Sequence, residues 1–154
     1  MIKICFVCLG NICRSPMAEF IMKDLINKKN LNDKISVVSR ATSYEETGNN
    51  IYPPAREKLK ENNIYYDPNK TAIRLEKEDL EIYDFIIAME DRNITNIKRI
   101  FNEESNKVKR LLDYSNNPRD ISDPWYTNDF DKAFNDILEG CNFLLDFLVK
   151  NNIV

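Results

Sequence analysis

With 154 residues, 43% of them hydrophobic and 31% charged, the chain can bury a core under one sheet and reads as one domain spanning 1–154. A net charge of −3 argues against a general nucleic-acid binder. No apolar run approaches a membrane span, and Met1 to Val7 lacks the length and cleavage site of a signal peptide, so the chain reads as cytoplasmic. Histidine is absent, which excludes Cys–His and Ser–His nucleophile pairs and any histidine-containing zinc site. The four cysteines, Cys5, Cys8, Cys13 and Cys141, are too few for a disulfide scaffold.

In chain order, Ile2 to Val7 is an apolar run of the kind buried on both faces of a sheet. From Ser15-Pro16 the pattern turns helical, with Met17, Phe20, Ile21, Leu25 and Ile26 on one face as far as Lys29. Ile35 to Ser39 reads as a second strand and Arg40 to Tyr52 as a polar loop. Pro53-Pro54 opens a helix to Asn62; Tyr65 to Lys70 is irregular, and Glu76 to Leu80 suits a helical turn. Asp84 to Met89 is a buried strand, Asp91 to Phe101 a helix, and Val108 to Leu112 a fourth strand. Tyr114 to Asn128 is a long loop, and Phe130, Phe134, Ile137, Leu138, Leu144, Leu145 and Leu148 mark a terminal amphipathic helix.

Alternating strands and helices predict an α/β fold, with a parallel sheet, right-handed crossovers and helices on both faces. Ligands of such sheets bind beyond the carboxyl ends of the strands, where Cys8 to Arg14 falls. Basic residues between Arg92 and Arg110 are interspersed with Glu90, Asp91, Glu103 and Glu104 and read as a solvated face.

Cys-x5-Arg alone is a weak signal, but here a strand precedes it, Gly10 and Asn11 lie within it, and Ser15-Pro16 starts a helix behind it. Gly10 is expected to supply a positive φ, and Asn11 to tolerate a left-handed turn while tying the loop to its neighbours. Converging N–H groups at a helix N-terminus would cradle an anion and favour Cys8 as the thiolate, with Ser15 donating to the sulfur. Arg14 offers a planar fork matching two phosphate oxygens. In-line attack by Cys8 would then give a cysteinyl-phosphate.

Cys8-Leu9-Gly10-Asn11-Ile12-Cys13-Arg14-Ser15-Pro16, together with Asp123-Pro124-Trp125-Tyr126, resembles the low-molecular-weight protein tyrosine phosphatases. The resemblance extends to Ser39-Arg40-Ala41-Thr42-Ser43 and Lys77-Glu78-Asp79. It implies a four-stranded parallel sheet in the order 2-1-3-4 and hydrolysis of phosphotyrosine in proteins without metal or cofactor. Inorganic phosphate would be the product, and a monomer is favoured. Cys8 would be the nucleophile, Arg14 the phosphate clamp and Asp123 the general acid, with Leu9, Gly10, Asn11, Ile12, Cys13 and Ser15 forming the phosphate loop.

A phenolate leaves poorly, so a positioned carboxylic acid should speed cleavage about 10²–10⁴-fold. Pro124 restricts Asp123 toward extended backbone and helps to aim it; Asp120 and Asp129 lie at similar reach in the sequence but rank below it. Trp125 and Tyr126 would wall a slot for a phenyl phosphate, with Tyr44 a candidate for the opposite side. A Cys8–Cys13 disulfide, also implied by the resemblance, would switch the enzyme off and shield the nucleophile. Cys5 and Cys141 read as inert core thiols.

The chain departs from the family pattern at two places. Lys70 or Thr71 stands where the family usually carries a histidine that supports the loop asparagine, and Thr127 stands where a glycine commonly follows the aromatics. Among rivals, a thiol-dependent arsenate reductase needs further redox cysteines near Ala88 to Asn102, and none is there. A protein-arginine phosphatase would carry Thr at the position of Ile12. A sugar-transport phosphocarrier needs neither Arg14 nor Asp123, and a non-catalytic phosphotyrosine-binding module would not need all three groups.

Overall fold

Four parallel strands in the order β2-β1-β3-β4 form the sheet of the computed structural model, which describes residues 1–154. The strands are β1 (Ile2–Cys8), β2 (Ile35–Ala41), β3 (Phe85–Ala88) and β4 (Val108–Arg110). The helices are α1 (Arg14–Lys28), α2 (Pro53–Glu61), α3 (Asp79–Ile82), α4 (Asp91–Phe101), α5 (Pro124–Thr127) and α6 (Phe130–Lys150). No helix is long and apolar enough to cross a membrane.

Side chains alternate across a strand, so each strand feeds two cores. Ile4, Phe6, Cys8 and Ile87 point into the larger cluster, with Met17 and Ile21 of α1 and Leu144 and Leu148 of α6. Cys5, Val7, Ile86 and Ala88 point the other way, toward Ile97 and Phe101 of α4. This parity separates Cys5 from the site although it lies near Cys8 in sequence. Burial pushes the Cys5 and Cys141 thiols well above the ordinary cysteine value, as suits inert core sulfurs.

The predicted elements are present, with shifted ends. β2 runs on to Ala41 because Arg40 and Ala41 pair with Val7 and Cys8. β4 stops at Arg110 rather than Leu112. Leu111 and Leu112 are fully buried in a 3₁₀ turn (Leu111–Tyr114), and Asp113 accepts from the Arg110 N–H at 3.0 Å. α6 packs so closely on this turn that a Cβ at Gly140 would lie 2.4 Å from Leu111 Cγ. The long loop expected from Tyr114 to Asn128 contains α5, a single turn begun by Asp123-Pro124.

Two backbone tethers bring the functional loops to the carboxyl end of the sheet. Thr42 and Ser43 N–H groups donate to the Cys8 and Leu9 carbonyls at 3.0 and 3.1 Å, extending the β1–β2 pairing into the phosphate loop. The Ile121 N–H donates to the Met89 carbonyl at 2.9 Å, which ties the Asp123 segment to the end of β3.

Candidate active site

The loop from Cys8 to Arg14 joins β1 to α1 and forms the floor of a cavity. Its left-handed residue is Asn11, at φ 58°, and Gly10 is not in that region. The expectation that Gly10 supplies the positive φ is therefore corrected. Asn adopts this conformation readily when its short side chain bonds locally. Gly10 serves close packing instead: a Cβ there would lie 3.3 Å from Glu46 Cγ.

Asn11 turns its side chain into the protein and acts as a tie. Its Nδ2 donates to Ser15 Oγ at 2.7 Å and to Ser39 Oγ at 2.9 Å. Ser39 in turn donates to the buried Glu19 carboxylate at 2.6 Å. Of Lys70 and Thr71, it is Lys70 whose side chain reaches this asparagine: Nζ donates to Asn11 Oδ1 at 2.9 Å and to the Thr71 carbonyl, also at 2.9 Å. Burial lowers the Lys70 pKa from its ordinary value of 10.5, while the Glu19 carboxylate opposes the shift.

Cys8 Sγ lies 3.0 Å from Ser15 Oγ and accepts the Asn11 N–H at 3.3 Å. Ser15 Oγ accepts from Asn11 Nδ2, and its single proton has two acceptors in reach, the Cys8 sulfur at 3.0 Å and the Arg40 carbonyl at 3.4 Å. Cys13 is a free thiol, like Cys8. Burial, with Cys8 as a second cause, pushes the Cys13 thiol well above its ordinary value. A charged sulfur is thereby disfavoured at Cys13, and Cys8 is the sulfur with donors aimed at it.

The Arg14 guanidinium is 2% exposed and held on several sides. Nη1 donates to a Glu90 carboxylate oxygen and to the Ile121 carbonyl at 2.7 Å, and Nη2 donates to Asp123 Oδ2 at 3.2 Å. Asp123 is the N-cap of α5, and its Oδ1 accepts the Trp125 N–H at 3.0 Å. A carboxylate from the far end of the chain is thus aimed into the Cys8 cavity by its own turn.

Cys8, Leu9, Gly10, Ile12, Cys13 and Arg14 line that cavity with Asp123, Trp125 and Tyr126. Trp125 and Tyr126 are 51% and 72% exposed, so they are wall rather than core. Asn11 and Ser15 act from behind the loop. Tyr44 does not line the cavity: its ring packs on the Arg74 guanidinium at 4.5 Å, and its hydroxyl bonds to Arg74 and Glu76. Ser43, Glu45 and Glu46 stand on that side instead. Asp120 is engaged by the Asp91 N–H and by Arg110, and Asp129 caps α6 through the Lys132 N–H, so neither faces Cys8.

The sequence reading missed Glu90, which it placed on a solvated face. One signal was available: Glu90 lies two residues beyond the buried end of β3, where a parallel sheet presents its site. In the rest of that stretch Arg92, Lys98, Arg99 and Lys109 are exposed as expected, whereas Lys107 is half-buried against the Leu80 carbonyl and Arg110 is 20% exposed, bridging Asp113 and Asp120.

Comparison with known proteins agrees with this geometry. Residues 3–153 match the family model described as low molecular weight phosphotyrosine protein phosphatase. The low molecular weight protein-tyrosine-phosphatase PtpA of Staphylococcus aureus is 37% identical over 98% of this chain and 96% of its own length. The crystal structure of YfkJ from Bacillus subtilis superposes with a TM-score of 0.94 at 38% identity, covering 98% of this chain and 96% of that one. SP-PTP, a low molecular weight protein tyrosine phosphatase from Streptococcus pyogenes, gives 0.85 at 38% identity, covering 97% of this chain and 93% of the other. With its nucleophile loop, clamp and acid-bearing turn on a sheet of this order, the chain belongs to the low molecular weight phosphotyrosine protein phosphatase family.

Proposed function

We propose that the chain hydrolyses phosphotyrosine in proteins through a cysteinyl-phosphate intermediate, acting as a monomer and releasing inorganic phosphate. The observation that carries this reading is the meeting of Cys8, Arg14 and Asp123 around one cavity walled by exposed aromatic rings. In the first step Cys8 Sγ attacks phosphorus and the bond to the phenolic oxygen breaks, while the Asp123 carboxyl gives that oxygen its proton. Loop N–H groups and Arg14 stabilise the charge on the equatorial oxygens. In the second step the Asp123 carboxylate takes a proton from water, the water oxygen bonds to phosphorus, and the S–P bond breaks to regenerate the Cys8 thiolate.

The substrate class follows from the walls. Trp125 and Tyr126 line the cavity beside the phosphate loop, and their exposed rings suit a flat phenyl ring better than the short aliphatic chain of a phosphoserine. Ile12 also lines the cavity, and a branched apolar side chain there favours an aromatic ester over a phosphoarginine.

The test is metal-free turnover of matched phosphotyrosine, phosphoserine and phosphoarginine peptides. Phosphotyrosine should be hydrolysed fastest, and Cys8→Ser should abolish turnover while retaining phosphate binding. Faster phosphoarginine turnover, or residual activity in Cys8→Ser, would overturn the reading.

A further inference from the structure

We propose that Tyr52 is a positioning residue for the general acid, bracing the Asp123 turn against the phosphate loop. This rests on the catalytic reading above.

Tyr52 is the one residue whose backbone holds the first loop while its ring holds the second. Its N–H donates to the Ile12 carbonyl at 2.9 Å, and its own carbonyl accepts from Ala55 and Arg56 at 3.0 and 3.1 Å. Pro53 behind it confines it to extended backbone, found at φ −58° and ψ 134°. The base of the side chain is therefore fixed relative to Ile12.

The ring meets Trp125 at a centroid distance of 4.9 Å, tilted by 57°, and stacks on Phe130 at 6.0 Å and 28°. Trp125 is half exposed, and its N–H is the group that orients Asp123 Oδ1. Phe130 is the buried first residue of α6, immediately beyond the acid turn. The brace rests on a firm base: α2 buries Ala55 and Leu59 and is joined to α6 by Lys58 and Asp131 at 2.5 Å.

α5 is a single turn, too short to hold itself in place by helical hydrogen bonds. Without an aromatic ring at position 52, Trp125 loses its support and Asp123 is aimed less well. The cost should fall on the chemical step that needs a proton, since a displacement of about 1 Å can cost up to about 10²-fold in rate. The contact is made by the ring, so the hydroxyl is dispensable.

Two readouts test this. Trp125 is the only tryptophan, so its fluorescence reports the brace directly and independently of activity. Tyr52→Leu should increase acrylamide quenching of Trp125 and move its emission to the red, whereas Tyr52→Phe should match the unaltered protein. In kcat/KM, Tyr52→Leu should lose about 5–20-fold on phenyl phosphate and less than about 2-fold on a nitro-substituted aryl phosphate, whose leaving group needs little protonation. Tyr52→Met repeats the measurement if Tyr52→Leu fails to fold. Unchanged quenching, equal losses on both substrates, or the same loss in Tyr52→Phe would overturn the proposal. If the unaltered protein hydrolyses neither ester, the phosphatase reading fails and the fluorescence comparison still decides the brace.

Discussion

Lys70 Nζ lies 2.9 Å from Asn11 Oδ1, across 59 residues of sequence, and closes a hydrogen-bonded path to the nucleophile. From Asn11 the path runs through Ser15 Oγ to Cys8 Sγ and, separately, through Ser39 to Glu19. A lysine ammonium has donors and no acceptor, so it fixes which end of the Asn11 amide faces it. The Asn11 Nδ2 is thereby directed at the two serines.

Lys70→Met should therefore loosen the loop. Asn11 Oδ1 would keep only the Ile73 N–H at 3.2 Å, and the lost contact should cost about 1–3 kcal/mol of stability. Denaturant unfolding measures the loss, and an unchanged midpoint would sever the link. The pH dependence carries a sign. Because burial lowers the folded-state pKa of Lys70 below 10.5, its desolvation cost is fully present at pH values below the folded value. Between the folded value and 10.5 the unfolded chain holds more protons, so stability from this group rises with pH. The unaltered protein should gain on Lys70→Met as pH climbs toward that value, and parallel curves would remove the buried cation from the account.

Glu90→Gln tests the setting of the clamp. Arg14 is almost fully buried, and Gln keeps the shape of Glu90 while removing one of the two carboxylates that compensate the guanidinium. The variant should be destabilised by about 1–3 kcal/mol, a discounted value because Glu90 and Asp123 retain some solvent. Saturating phosphate, which binds the folded state, should raise its melting temperature more than that of the unaltered protein. Equal thermal shifts would show that Glu90 does not compensate Arg14.

Asp123→Asn keeps an acceptor for the Trp125 N–H but cannot deliver the acid proton. A loss of about 10²–10⁴-fold in kcat/KM is expected on phosphotyrosine peptide, with a much smaller loss on a nitro-substituted aryl phosphate. Comparable losses on both would reduce Asp123 to a helix cap.

Alkylation should distinguish the sulfurs. Burial raises the thiols of Cys5, Cys13 and Cys141, so iodoacetate at neutral pH should label Cys8 first. Inorganic phosphate, competing for the same loop, should protect it. Peptide mapping that finds Cys13 labelled as fast as Cys8 would contradict this assignment. After peroxide, the same mapping should find a Cys8–Cys13 disulfide, which reduction reverses.

Sequence alone was enough for the alternation of strands and helices, because an apolar run at the strand period and an amphipathic stripe at the helix period are local patterns. It was enough, too, for Cys8, Arg14 and their loop, since a motif of consecutive residues carries its own geometry. Asp123 was legible through the Pro124-Trp125-Tyr126 that follows it and through the resemblance these residues carry.

Tertiary structure decided the contacts between distant segments. Glu90 and Arg14 meet only because β1 and β3 are neighbours in the sheet, and Lys70 reaches Asn11 only after a loop crosses beside β2. Tyr44 and Glu45 are adjacent in sequence, yet only Glu45 lines the cavity, because Arg74 offers the Tyr44 ring a cation to stack on. Local periodicity states which face of an element is buried, whereas the partner on that face is chosen by packing and hydrogen bonding across the whole chain.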